Sequence, residues 1–317
     1  MNERNEEAVA PPLRTRIWDV APRRDFALAL HGGAGGRIYE LSREDKAAFE
    51  AGLTRAYEAG HGVLAAGGSA LDAVCATVVE LENDRLFNAG RGAALRSDAT
   101  VELDAAVMDG AGTAGAVAAS RHAKNPVLLA RGVMERGRHV LLVSPSEELV
   151  TEWGHPAAPQ SYFITEARQR QLARIQNGRA TAPRHGTVGA VARDADGRVA
   201  AATSTGGMAG QTPGRVGDSP IIGAGTYARG GLVAISCTGD GEAFIRGVVS
   251  YDIAARMRYL GLPLPEAVTT TIDDALTAKN ASGGLVSVAP DGRVVVAHNS
   301  PTMFAAFEDH DGLVTLM

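Results

Sequence analysis

Both halves of this chain repeat one order of elements: short apolar runs, then longer helical stretches, then short apolar runs again. In the first half Phe26–Leu30 reads as a strand, about 43–66 and 69–82 as helices, and Val101–Met108, Gly115–Ala119 and Val140–Val143 as strands. Ser69 with Asp72 makes a helix-start signal, and Pro126 suits the first turn of a helix ending near Gly137. In the second half Val188–Arg193, Val199–Thr203, Leu232–Cys237, Leu285–Ala289 and Val294–Ala297 read as strands, with helices at about 241–259 and 265–278. Ala195-Asp196-Gly197 and Asp291-Gly292 mark hairpins. This order suits stacked layers of sheet and helix better than a repeating βαβ wheel. Aromatic residues are only 5%, so small aliphatic side chains must build the core. The 38 glycines have no collagen-like period and belong in turns, tight packing and ligand loops.

At 317 residues the chain is long enough for one large domain or two. Residues 1–25, with Pro11, Pro12 and scattered charge, read as a flexible arm. Residues of about 155–186 read as a linker, broken by Gln176-Asn177-Gly178 and Pro183, with a weak helix at Thr165–Ile175. The net charge of −5 argues against a nucleic-acid or anionic-membrane surface. No apolar run approaches the ~20 residues of a membrane span. The first 25 residues lack the apolar core of a signal peptide, and Cys75 and Cys237 are too few for a disulfide scaffold. A reducing, cytoplasmic setting is expected, which leaves the sequon Asn280-Ala281-Ser282 unused.

Several motif matches carry no chemistry. Gly223–Ala228 formally fits G-x-G-x-x-A, but Arg229-Gly230-Gly231 follows where a helix is needed. The run His31–Gly36 follows a strand, yet Ile38 stands where the third glycine belongs. The eight histidines are scattered, with no H-E-x-x-H or G-x-S-x-G, and His31 and His185 read as structural or incidental. The informative stretch is His185-Gly186-Thr187-Val188-Gly189-Ala190-Val191. A threonine at the head of a strand is ordinary. It is also what a newly exposed N-terminus would present: its α-amine, of pKa about 7.7–8.0, can take the proton of its own hydroxyl, with no histidine needed.

Thr187 in this setting, with AAATSTGGM (200–208), PGRVGDSP (213–220), GAG (223–225) and SCTGDGEAFIR (236–246), resembles the plant-type L-asparaginases, or isoaspartyl peptidases. Upstream, LHGGAGG (30–36), LFNAGRGA (86–93), ELDAAVMDG (102–110) and KNPVLLAR (124–131) resemble the same family in the same order. The resemblance covers roughly 26–305 without the linker, and the C-terminal 299–312 follows it only loosely. It implies an N-terminal nucleophile hydrolase, an α/β protein with a four-layer αββα sandwich over 26–317. It implies self-cleavage between Gly186 and Thr187 into an α chain (1–186) and a β chain (187–317). It further implies an (αβ)2 assembly acting on β-aspartyl peptides and L-asparagine.

By the same resemblance Thr187 is the nucleophile and Thr205 orients it. Thr238 and Gly239 form the oxyanion hole, Arg215 grips the substrate α-carboxylate, and Asp218 with Gly241 receives its α-ammonium. Asn88 lies near the nucleophile. No catalytic cofactor is implied, but Leu81, Glu82, Asp84, Phe87, Ala89 and Arg91 match a loop that binds structural Na⁺ through backbone carbonyls. Two rivals share the pattern. A glycosylasparaginase usually has Asp, not Gly186, before the threonine. An uncleaved binding homologue would be expected to lose Arg215, Asp218 or Thr238.

Overall fold

The structure is a computed structural model that describes residues 14–35, 41–178 and 186–317. In chain order the strands are β1 (Arg16–Val20), β2 (Ala27–Ala34), β3 (Leu103–Asp109), β4 (Ala114–Ser120), β5 (Leu141–Val143), β6 (Thr187–Arg193), β7 (Val199–Thr205), β8 (Thr226–Arg229), β9 (Val233–Gly239), β10 (Gly283–Val288), β11 (Val294–His298), β12 (Met303–Asp309) and β13 (Gly312–Leu316). The helices are α1 (Arg43–Ala65), α2 (Ala70–Asn83), α3 (Pro126–Arg136), α4 (Glu147–Glu152), α5 (Gln160–Phe163), α6 (Glu166–Gln176), α7 (Gly241–Gly247), α8 (Val249–Leu260) and α9 (Leu264–Ala275).

One sheet runs β13-β12-β2-β6-β7-β3-β4-β5 and the other β1-β11-β10-β9-β8. All neighbours are antiparallel except β4 and β5. Helices α1–α3 cover the outer face of the larger sheet, and α8–α9 that of the smaller, so the layers stack α, β, β, α as expected. Burial on both faces explains strands of almost unbroken Ala, Val and Leu. In β6, Val188, Ala190 and Ala192 face the helices, while Val191 faces the other sheet. In β7, Ala200 and Ala202 face the helices while Val199 and Ala201 face the other sheet. The period of two then places Thr187 and Gly189, and Thr203 and Thr205, between the sheets. A pattern of hydrophobic alternation thus puts a row of hydroxyls into the layer where the sheets meet.

The structure departs from the sequence reading in four places. The arm ends earlier than residue 25: Arg16–Val20 pairs with β11, and Trp18 stacks on His298 with ring centroids 5.6 Å apart. Residues 1–13 lie outside the described residues. The linker is largely structured, because Phe163 and Leu172 are buried against Ala93, Leu95, Val101 and Leu103. What is left of it, 179–185 with Pro183 and His185, lies outside the described residues, as does Gly36 with Ile38. The expected helix at 241–259 is broken at Val248, whose φ of +46° no helix continues. The C-terminal residues, unassigned in sequence, close the larger sheet as β12 and β13.

Small residues set the layer spacing. A Cβ on Gly115 of β4 would press into the backbone carbonyl of Ala130 and the amide of Met134 on α3. Backbone cannot step aside as a side-chain tip can, so Gly115→Ala should destabilise the protein by about 1–3 kcal/mol. A urea midpoint equal to that of the parent would mean that α3 does not sit this close.

Candidate active site

The site begins with strand register. Thr187 opens β6 and Thr205 closes β7, and the two are direct partners in the antiparallel ladder. Their side chains share a face, with Thr187 Oγ1 donating to Thr205 Oγ1 at 3.2 Å. Thr205 Oγ1 donates in turn to the Gly186 carbonyl at 3.2 Å and accepts from the Gly207 N–H at 3.0 Å. Both threonines are buried.

Asn88 completes the surroundings of Gly186. Its Oδ1 accepts from the Ala94 N–H at 2.6 Å, which fixes the amide's orientation. Nδ2 then donates to the carbonyls of Gly207, at 2.7 Å, and Gly186. The Gly186 carbonyl therefore receives two donors, Asn88 Nδ2 and Thr205 Oγ1. Gly186 allows this approach, since a Cβ there would lie 2.8 Å from Asn88 Cβ.

Thr238 and Gly239 end β9, on the facing sheet. The Thr238 hydroxyl accepts from the Ala34 N–H at 3.2 Å. Just beyond, Gly241 leaves open the space between Arg215 and Asp218: a Cβ there would be 2.9 Å from both Arg215 Nη2 and Asp218 Oδ1. Arg215, Asp218 and Gly241, singled out together by the family resemblance, thus meet at one point. Asp218 is buried, and its Oδ2 has no hydrogen-bond partner among the described residues. Burial pushes its pKa up to about 7, against the pull of the nearby Arg215. An orphaned carboxylate oxygen beside a guanidinium is suited to a ligand carrying both an ammonium and a carboxylate.

Four residues that brace this clamp escaped the sequence reading. Glu242 takes the Arg215 fork in a two-point bond, Nε to Oε1 at 2.9 Å and Nη2 to Oε2 at 3.1 Å. Gln211 Oε1 accepts from Arg215 Nη1 at 3.2 Å and from the Met208 N–H at 2.8 Å. Asp104, two residues past Glu102, accepts from Gly217 N–H at 3.4 Å, while Glu102 accepts from Gly214 N–H at 3.0 Å. These carboxylates tie the loop of Arg215 to β3. The adjacent acidic string in ELDAAVMDG was the available signal.

The candidate cation loop runs through Asn88 and so adjoins the Gly186 carbonyl. Gly90 and Gly92, both at positive φ, turn the backbone against the carbonyls of Glu82, Arg85 and Phe87. Hard carbonyl oxygens of this kind fit an alkali or alkaline-earth cation. The Glu82 side chain points elsewhere, accepting from Ser204 Oγ at 2.7 Å and from Val127 N–H at 3.0 Å. Among the described residues no helix is long and apolar enough to cross a membrane.

The raised Asp218 pKa has a sign that can be tested. The folded state keeps a proton that the unfolded chain releases between about pH 3.8 and 7. This share of stability is whole below pH 3.8 and is lost as pH rises through 7. Asp218→Asn should therefore lose less stability than the parent between pH 5 and 8 in urea titrations. Parallel curves for the two proteins would contradict the burial of an unpaired carboxyl here.

Comparison with known proteins adds an independent line. The asparaginase family model matches residues 24–317. The chain is 46% identical over 294 residues to the isoaspartyl peptidase of Salmonella typhimurium, spanning 88% of this chain and 94% of that one. It is 40% identical over 302 residues to the isoaspartyl peptidase/L-asparaginase of Mus musculus, spanning 93% and 90%. It is 38% identical over 323 residues to the probable isoaspartyl peptidase/L-asparaginase 2 of Arabidopsis thaliana, spanning 91% and 97%.

Proposed function

This chain belongs to the asparaginase family, and from that premise we propose that it hydrolyses β-aspartyl peptides and L-asparagine, using Thr187 as an N-terminal nucleophile freed by its own cleavage. The observation that carries this reading is the Thr187 hydroxyl, 3.2 Å from that of Thr205, beside a Gly186 carbonyl already held by two donors.

Maturation comes first. Thr187 Oγ attacks the Gly186 carbonyl carbon, and charge develops on the Gly186 oxygen, where Asn88 Nδ2 and Thr205 Oγ1 donate. The C–N bond breaks, the nitrogen takes up the proton lost by the hydroxyl, and an ester links Gly186 to Thr187 Oγ. Water hydrolyses that ester. The products are a Gly186 carboxylate and a Thr187 with free amine and hydroxyl.

In turnover the amine takes the Thr187 hydroxyl proton as Oγ attacks the substrate's β-carbonyl. Thr238 Oγ1 and the Gly239 N–H would stabilise the oxyanion, each donor worth about 3–4 kcal/mol. The leaving amine departs with that proton, and water releases L-aspartate from the acyl-enzyme. Arg215 and Asp218 hold the free α groups, so ammonia and a following residue are equivalent leaving groups. An α-aspartyl peptide lacks the free carboxylate. L-Glutamine displaces the carbonyl by one methylene, and a misplacement of ~1 Å can cost ~10²-fold.

The same reading assigns structural Na⁺ to the loop of Leu81, Glu82, Asp84, Phe87, Ala89 and Arg91, where its charge would gather backbone carbonyls. It takes the active form as (αβ)2 and its place as the cytoplasm, in keeping with two buried free thiols, Cys75 and Cys237.

Intact mass under denaturing conditions tests the proposal. Cleavage divides 32.8 kDa into pieces of about 19 and 14 kDa, the smaller beginning TVGAV. Thr187→Ala should stay whole. The cut enzyme should release L-aspartate from β-aspartyl dipeptides and L-asparagine at least ~10²-fold faster than it acts on α-aspartyl dipeptides or L-glutamine. A parent that remains a single 32.8 kDa species would remove the amine base and overturn the mechanism.

A further inference from the structure

His31 is buried between the two sheets, in a layer that also holds Val191, Ala201, Ala234 and Val286. Its Nδ1 lies 2.8 Å from the Thr187 carbonyl, and its Nε2 lies 2.8 Å from Ser236 Oγ. A carbonyl only accepts, so Nδ1 carries the hydrogen and Nε2 accepts from the Ser236 hydroxyl. Burial pushes the imidazole pKa down to about 3, so the ring is neutral and this tautomer is fixed. The chain of hydroxyls continues: Ser236 Oγ is 2.7 Å from Thr203 Oγ1, and Thr203 Oγ1 is 2.7 Å from Thr226 Oγ1. Thr226 also reaches the Ser219 carbonyl at 2.9 Å, next to Asp218.

The room for this chain is specific. A Cβ on Gly189 would lie 2.6 Å from His31 Nε2 and would overlap Ser236 Oγ. An apolar side chain would fill the layer without burying polar atoms. A fully satisfied polar network instead fixes one arrangement of the elements it joins.

What it joins is the two halves of the site. Strand β2 pairs with β6, His31 opposite Gly189, two residues from the nucleophile. The same strand crosses to β9 twice, through His31 to Ser236 and through the Ala34 N–H to Thr238 Oγ1. Ser236 and Thr238 are two apart on β9 and so share a face. The nucleophile sits on one sheet and the oxyanion donors on the other.

We propose that His31 is a positioning residue: bridging the Thr187 carbonyl and the Ser236 hydroxyl, it sets the nucleophile's distance from the Thr238–Gly239 donors across the sheet interface. This rests on the reading of Thr187 as the nucleophile. It acts on the reacting geometry and leaves the Arg215–Asp218 grip alone, so kcat should carry the effect and KM should not.

The test compares His31→Leu, His31→Asn, His31→Gln and Ser236→Ala with the parent, as rates per chain cut at Gly186. Asn can place its amide nitrogen where Nδ1 was, and Gln reaches only the Nε2 position. His31→Leu and His31→Gln should lose ~10²-fold in kcat, with His31→Asn recovering about tenfold, and KM for L-asparagine within about twofold throughout. Ser236→Ala removes one oxygen and no carbon, so it tests the bridge without a change of fold, and should lower kcat several-fold. Losses that follow each variant's melting temperature, a KM that rises with the fall in kcat, or His31→Asn no better than His31→Leu would overturn the proposal. If the His31 variants do not cut, an unchanged kcat in Ser236→Ala would overturn it alone. An uncut or inactive parent is a separate result: it sinks the nucleophile assignment, and the positioning role with it.

Discussion

The pairing of Thr187 with Thr205 at adjoining strand ends is the constraint on which the rest depends. A slip of β6 by one residue in that ladder would turn the Thr187 hydroxyl toward the helices, away from Thr205, and bring Val188 into the site. The apolar alternation of β6 forbids the slip, because Val188, Ala190 and Ala192 would leave the helix-covered core. Packing that has no chemical role thereby decides which residues meet. The positions around the ladder are small for the same reason: Gly186, Gly189 and Gly206 admit Asn88, His31 with Ser236, and the Ala93–Ala94 backbone respectively.

Charge at the site is balanced by burial. Asp218 is desolvated and unpaired at Oδ2, while Arg215 is already engaged by Glu242. On the proposed function, an arriving amino acid would supply what the first lacks and compete for what the second has. A ligand with only one of the two α groups would obtain one side of this exchange. Selectivity for a free amino-acid head group would then follow from both effects together, and neither Arg215 nor Asp218 alone would give it.

Much of this was legible in the sequence. The layered order of elements and the hairpins at Gly197 and Gly292 could be read because each is a local signal, and the Thr187, Arg215 and Asp218 strings through their resemblance to a known family. What escaped was mostly non-local. Glu242 matters only because α7 folds onto Arg215, while Gln211, in the same loop as Arg215, carried no signal of its own. His31 could be read only as structural or incidental because its two partners lie 156 and 205 residues away. Residues 155–176 looked like a linker because their composition is polar, yet Phe163 and Leu172, with hydrogen bonds made by Gln160 and Arg168, seat them.

Phe163 and Leu172 bear on the proposed maturation. They hold the chain as far as Gln176, ten residues before Gly186. Ten residues span at most ~35 Å, so a carboxylate freed at Gly186 would stay within that distance of α6. It would bring a carboxylate and no ammonium to the site, leaving Asp218 nothing to hold. On the proposed function, the head-group requirement that selects substrates would also turn the protein's own cut end out of its site.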